Sequence, residues 1–221
     1  MKKMSLLIAL AVCSHNASAA IQLMATRVVY NSNNSSAALP IQNQSNSDYL
    51  VQTWLEDQNG GTTNIPMQVV PPILKLSAGK SASLRFIYSG KSLPDNQESL
   101  FWINIQEIPP ASKDENVLQV AVHSRLKLFY RPNSLKTTLA EQAEKLQWVK
   151  SGNQVNIKNN GPMYISLNTL HTGNKNINLD MVAPYGEKTV NLGSSNIGNT
   201  VSYGYINDFG GVTEIKDHPL N

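Results

Sequence analysis

Beyond residue 20 the chain is written in short apolar or alternating runs, each cut off by Asn, Gly, Ser or Pro. This punctuation predicts strands and leaves little room for helices. The runs at 22–30, 37–43, 49–56, 73–76, 82–88, 100–108 and 117–130 read as strands. Between them lie turn formers such as Asn31-Ser32-Asn33-Asn34, Gln58-Asn59-Gly60-Gly61, Ser89-Gly90 and Pro109-Pro110.

So many strands ahead of residue 131 suit one immunoglobulin-like sandwich. Arg131-Pro132-Asn133 ends the longest run, because proline cannot donate to a central ladder, and marks a boundary. After it, residues 135–146 hold the one helical stretch, around Ala140-Glu141-Gln142-Ala143-Glu144-Lys145. Strand-like runs resume at 146–149, 154–158, 164–170, 177–182, 188–192 and 201–207, a second and smaller β domain. The expected fold is all-β, with one sandwich over 20–131 and another over 132–221.

Residues 1–19 read as an export signal. Lys2 and Lys3 precede an apolar run from Leu6 to Val12, and Ala17-Ser18-Ala19 offers a small-x-small cleavage site, so the mature chain is expected to begin at Ala20 in the periplasm. The apolar run is far short of the roughly 20 residues that a spanning helix needs. Cleavage removes both lysines and Cys13, the one cysteine, leaving a nearly neutral chain with no thiol. Disulfides and cysteine catalysis are thereby excluded, and core burial must hold the fold. With 41% hydrophobic residues the chain can supply that burial. Its 15% charged content, against about 25% in ordinary domains, shows no basic run and no aromatic-basic interleaving, so nothing points to nucleic acid.

Catalytic patterns are missing. His15 leaves with the signal, and His123, His171 and His218 stand far apart without metal-binding spacing. No G-x-S-x-G, P-loop or G-x-G-x-x-G occurs, and Asp114-Glu115 reads as a solvated loop. No enzyme, cofactor, metal or small-molecule substrate is indicated, and a binding function is expected.

Two features suit binding. The run from Leu118 to Leu128 is long, with apolar side chains at every even position except Ser124. Leu118, Val120 and Val122 either face their own core or belong to an exposed edge offered to another chain, and periodicity allows both. Arg27 and Lys127 are single charges inside apolar strands, Thr26-Arg27-Val28-Val29-Tyr30 and Leu126-Lys127-Leu128-Phe129-Tyr130. They either snorkel at a sandwich rim or serve a site.

Four segments carry a resemblance over nearly the whole mature chain: Ala25-Thr26-Arg27-Val28-Val29-Tyr30; Leu93-Pro94-Asp95-Asn96-Gln97-Glu98-Ser99-Leu100-Phe101-Trp102-Ile103-Asn104; Arg125-Leu126-Lys127-Leu128-Phe129-Tyr130-Arg131-Pro132; and Tyr205-Ile206-Asn207-Asp208-Phe209-Gly210-Gly211. In that order they resemble the periplasmic pilus-assembly chaperones of the chaperone-usher pathway. The resemblance implies two immunoglobulin-like domains set as a boomerang, holding a pilus or fimbrial subunit that lacks its last strand and delivering it to an outer-membrane usher. It implies that Leu118, Val120 and Val122 are donated to the subunit, and that Arg27 and Lys127 bind its C-terminal carboxylate. It also implies that Glu98, Arg131 and Asp208 form a charge triad between domains. Asn96-Gln97 stands where the family often has Asp-Arg, and Phe209 where it often has Tyr. The short connection 111–116 and the lack of mature cysteines resemble the short-loop branch. The nearest alternative is a secreted immunoglobulin-like pilus subunit or adhesin, which would usually show one domain, a cysteine pair and an N-terminal donor extension.

Overall fold

The computed structural model describes residues 20–90, 93–112, 118–172, 175–193 and 198–220. The signal segment, Asp114, Glu115 and Val117 lie outside the described residues.

The N-terminal half is a sandwich of two sheets. One has the order β1 (Ile21–Leu23), β3 (Ala37–Asn43), β7 (Ser81–Tyr88) and β5 (Met67–Val70). The other has the order β2 (Arg27–Asn31), β9 (His123–Arg131), β8 (Ser99–Ile108), β4 (Tyr49–Asp57) and β6 (Ile73–Leu76). Alternation decides which side chains meet between the sheets. Val51 and Leu55 of β4, Leu84 and Phe86 of β7, Ile103 of β8 and Leu128 of β9 are buried together, while their neighbours point outward.

The C-terminal half opens on α1 (Leu139–Glu144). Thr138 Oγ1 accepts from the Glu141 amide, and Glu141 Oε2 accepts from the Thr138 amide, so a capping box starts the helix where Thr-x-x-Glu stands in the sequence. One sheet has the order β10 (Gln147–Ser151), β11 (Gln154–Lys158) and β15 (Glu187–Asn191). The facing sheet has the order β13 (Lys175–Asn178), β12 (Ile165–Thr172), β16 (Thr200–Ile206) and β17 (Val212–Pro219), with β14 (Met181–Val182) also on β12. Trp148 and Tyr203, ring centroids 4.5 Å apart, centre its core. The two cores share no residue: the first ends at Tyr130 and the second begins at Leu139. A small third cluster, Leu100, Phe129 and Tyr164, joins the halves.

The structure differs from the sequence reading in five places, one of them the run 177–182, which is divided between β13 and β14. The run 22–30 is two strands, because the chain crosses from one sheet to the other: β1 pairs with β3, and β2 pairs with β9. β5 was hidden by the prolines around it, and β17 by its charged residues. The long run becomes a strand only at His123, where pairing with β8 begins, so residues 118–122 belong to no strand.

Leu128 is fully enclosed between β2 and β8, whereas Val120, on the same stretch of chain, is 69% exposed. Leu128→Ala is expected to cost about 2–5 kcal/mol in denaturant unfolding and Val120→Ala less than about 0.5 kcal/mol. Equal losses would show that residue 120 packs in the core.

Candidate functional site at the junction of the two sandwiches

β2 runs parallel to β9 with Arg27 directly opposite Lys127. Val28, Tyr30, Leu128 and Tyr130 turn into the N-terminal core, so Arg27, Val29, Lys127 and Phe129 share the other face of that sheet. Arg27 opens β2 and does not lie inside one strand over 22–30, and the two cations converge.

The C-terminal half closes over them. Arg27 Nη1 donates to the Ile206 carbonyl at 3.2 Å, and Lys127 Nζ donates to Ser166 Oγ at 3.4 Å. Arg27 is buried, and its Nε has no hydrogen-bond partner. Among the described residues neither cation is in an ion pair. Burial pulls both below their ordinary values. For Arg27 the charge of Asp208 resists this; for Lys127 the nearby Arg27 adds to it, while Asp180 opposes. Two adjacent like charges with this little compensation make a site that gains by taking up an anion.

Next to this pair lies an open strand edge. β9 pairs with β8 from His123 onward but with β2 only from Lys127 onward. One side of residues 123–126, and the segment before them, therefore has no neighbouring strand among the described residues. Leu118 is 90% exposed, Val120 is exposed and Val122 half-buried. These three have the same parity as the core residues Leu126 and Leu128 but lie past the end of that core. The segment is tethered at its root, where the Val122 carbonyl accepts from the Glu107 amide at 2.9 Å and from Gln106 Nε2 at 3.1 Å. Below the edge the sheet face is braced. Arg125 lies over Trp102 at 4.3 Å and pairs with Glu56 at 2.7 Å, and His123 stacks on Trp54 at 5.2 Å.

The three charges Glu98, Arg131 and Asp208 meet. Arg131 Nε donates to Glu98 Oε1 at 2.6 Å, and its two terminal nitrogens donate to Asp208 at 2.6 and 2.8 Å. Glu98, 1% exposed, also accepts from the Tyr164 amide at 2.8 Å, and its own amide donates to the Pro162 carbonyl. Burial pushes the Glu98 carboxyl up against the pull of Arg131. Burial alone would lower Arg131, but its bonds to Asp208 and the charge of Glu98 hold it above its ordinary value. Asp208 sits in a turn closed by Asn207, whose Oδ1 accepts from the Phe209 and Gly211 amides, each at 3.0 Å. Gly210 has φ +87°, and a Cβ there would come 2.3 Å from Thr26 Oγ1, so only glycine lets this turn rest on the start of β2.

Sequence reasoning missed Ser166, Tyr164, Pro162 and the Ile206 carbonyl. Three of these contribute backbone atoms, which leave no residue-type signal, and a serine within a strand has none either.

Two family models match in tandem. Residues 20–136 match the pili and flagellar-assembly chaperone PapD N-terminal domain, and residues 141–216 match the pili assembly chaperone PapD C-terminal domain. The chain belongs to the pilus-assembly chaperones. Among the relatives of this chaperone, the protein LpfB of Salmonella typhimurium is 35% identical over 209 residues, covering 91% of this chain and 89% of the relative. FimC of Escherichia coli is 37% identical over 202 residues, covering 89% and 83%. A chain in the solved structure of the Salmonella enterica SafA pilin in complex with the SafB chaperone superposes with a TM-score of 0.81 at 30% identity, covering 90% of this chain and 95% of its own. The family is one of periplasmic chaperones, not enzymes, and the match to both domains sets the reading as a pilus subunit or adhesin aside.

Removing Arg131 from this chaperone would leave the Glu98 and Asp208 carboxylates facing each other, one of them fully buried. Arg131→Ala is expected to cost about 3–5 kcal/mol, well above the 0–1 kcal/mol of an exposed pair, and to change the small-angle scattering profile. An unchanged unfolding midpoint together with an unchanged profile would show that the network holds neither stability nor domain orientation.

Proposed function

We propose that this chaperone captures single pilus subunits in the periplasm by lending them the segment around Leu118, Val120 and Val122, and hands them to an outer-membrane usher. The observation that carries this is the continuity of the open β9 edge with the Arg27–Lys127 pair. A strand added to that edge occupies the line of β2 and stops where Arg27 begins. If its last residue carries a free carboxylate, the charge falls beside the two cations, and the added strand runs parallel to β9. Arg27 offers a planar fork and Lys127 a compact charge, and charge-assisted bonds are roughly twice as strong as neutral ones. The carboxylate sets the register, because a slip of one residue would turn every side chain to the wrong face.

The exposed side chains at 118 and 120 then enter the subunit, each contributing about 1.5–3 kcal/mol on burial. The SafB chaperone, similar over almost the full chain, has a solved complex with a pilin, which supports a subunit as the occupant. We assign the chain to the short-loop branch, with cleavage after Ala19, a subunit-binding domain over 20–131 and a second domain over 132–221. The Glu98–Arg131–Asp208 triad sets the angle between them.

Two experiments test this. Val120→Glu is expected to fold with the parent's unfolding midpoint yet lose subunits in co-purification from the periplasm; a folded variant with normal capture overturns strand donation. The double variant Arg27→Ala, Lys127→Ala is expected to fold, since removing underpaired cations sheds their desolvation cost, and to lose binding of a peptide copied from a subunit's C-terminal strand. Amidating the peptide's carboxylate should weaken binding to the parent protein but not to the double variant. Equal affinity of parent and double variant for the free-acid peptide overturns the carboxylate anchor.

A further inference from the structure

Glu107 is the second buried glutamate of the N-terminal sandwich, and nothing in subunit binding uses its carboxyl. It is 3% exposed and on the inward face of β8. Its Oε2 accepts from the Ile21 amide at 3.1 Å in a buried bond, and the Ala20 amide also donates to this carboxyl. Among the described residues no side-chain cation pairs with it. The elements that meet it bring Val51 from β4, Ile21 from β1 and Val122 from the segment before β9, none of them titratable. No charged side chain among the described residues contributes to its protonation. Burial pushes the carboxyl up, and the two amides oppose that. Ala20 is pinned from its other side as well, since its carbonyl accepts from the Gln44 amide at 2.7 Å. A buried carboxylate answered by two neutral N–H groups is poorly compensated.

The nitrogen of Ala20 is also the atom at which the expected leader is cut. We infer that Glu107 is the receptor for the chain's own mature N-terminus, so that removal of the leader creates a buried ion pair between the Ala20 α-ammonium and the Glu107 carboxylate. The inference rests on cleavage after Ala19. Hydrolysis of the 19–20 peptide bond puts the hydroxyl of water on the Ala19 carbonyl and leaves the Ala20 nitrogen as an amine, which takes a proton from solvent at neutral pH. That nitrogen stands one residue before the Ile21 amide, which donates to Glu107 at 3.1 Å, so the new charge arises beside the carboxylate. Glu107 is also the residue whose backbone amide holds the Val122 carbonyl at 2.9 Å. Maturation thereby tightens the strand at the root of the donated segment, and the precursor, lacking the ammonium, folds its N-terminal domain less firmly.

The sign of the pH dependence follows. An α-amine whose folded pKa is raised above its unfolded value, about 7.7–8.0, adds stability that is present below that value and lost as pH climbs through the folded one. The test uses protein purified from the periplasm. Mass spectrometry of the N-terminal peptide gives the starting residue, and competitive acetylation across pH 6–11 gives the α-amine's titration in the parent and in Glu107→Gln. Expected are a start at Ala20, an α-amine titrating at least about one pH unit higher in the parent than in the variant, and a thermal midpoint that drops through that range in the parent alone. Inserting one Gly between Ala19 and Ala20, which carries the ammonium away from Glu107, should remove the same step. A start at Ala20 with the same amine titration in parent and variant overturns the ion pair and leaves the cleavage site standing. A start elsewhere overturns the cleavage site and the ion pair with it.

Discussion

The parallel pairing of β2 with β9 is the constraint on which the junction depends. Parallel neighbours share direction, so the opposed pair Arg27 and Lys127 starts a ladder that runs on through Val29 with Phe129 and ends at Asn31 with Arg131. One ladder therefore carries the cation pair at its start, an apolar contact to the other half in its middle and the hinge arginine at its end. It also sets where pairing stops. Because β2 begins at Arg27, everything in β9 before Lys127 lacks a strand partner on that side among the described residues, and the free edge and the cations are two consequences of one register.

The charges at the two ends of this ladder differ in how they are compensated. Arg131 meets two carboxylates at hydrogen-bonding distance, and Glu98 meets an arginine and a backbone amide, so each buried charge is answered. Arg27 and Lys127 receive one carbonyl and one hydroxyl between them, and an Arg27 Nε stays without a partner. Asp208 lies close enough to act on Arg27, but both its oxygens are engaged by Arg131. A satisfied network resists change in the angle between the sandwiches, whereas an underpaired one has free energy left to give to a ligand.

How much of this was legible in the sequence depended on the scale of the signal. Alternation located most strands, and the run Ala140-Glu141-Gln142-Ala143-Glu144-Lys145 located the helix, because both rest on neighbours a few residues apart. The switch of sheets at Met24–Thr26 was not legible, since a run without Gly, Pro, Asn or Ser to interrupt it looks the same whether its two ends pair with one sheet or two. Nor was the state of residues 118–122: periodicity reports which side chains could share a face, and only the strand pairing shows that these residues lie beyond the sheet. Arg27 and Lys127 stood out as charges in apolar strands, but their meeting is a property of strand order. Glu98, Arg131 and Asp208 lie up to 110 positions apart along the numbering, from 98 to 208, and only the resemblance grouped them.

An exposed edge with apolar side chains is a hazard in any β protein, since it invites a second copy as readily as a client. The edge here is short, and its surroundings limit what it accepts. Arg125 and His123 stand on the outward face next to it, held rigid by Trp102, Glu56 and Trp54. At its end the cation pair favours a strand that arrives with a negative charge, and a strand that continues past this point meets Arg27 and the body of β2. Pairing two copies of the edge would place an apolar segment against its twin but leave both cation pairs unanswered. On the proposed reading the underpaired charges act in two directions, drawing a strand that ends in a carboxylate and giving no reward to one that does not.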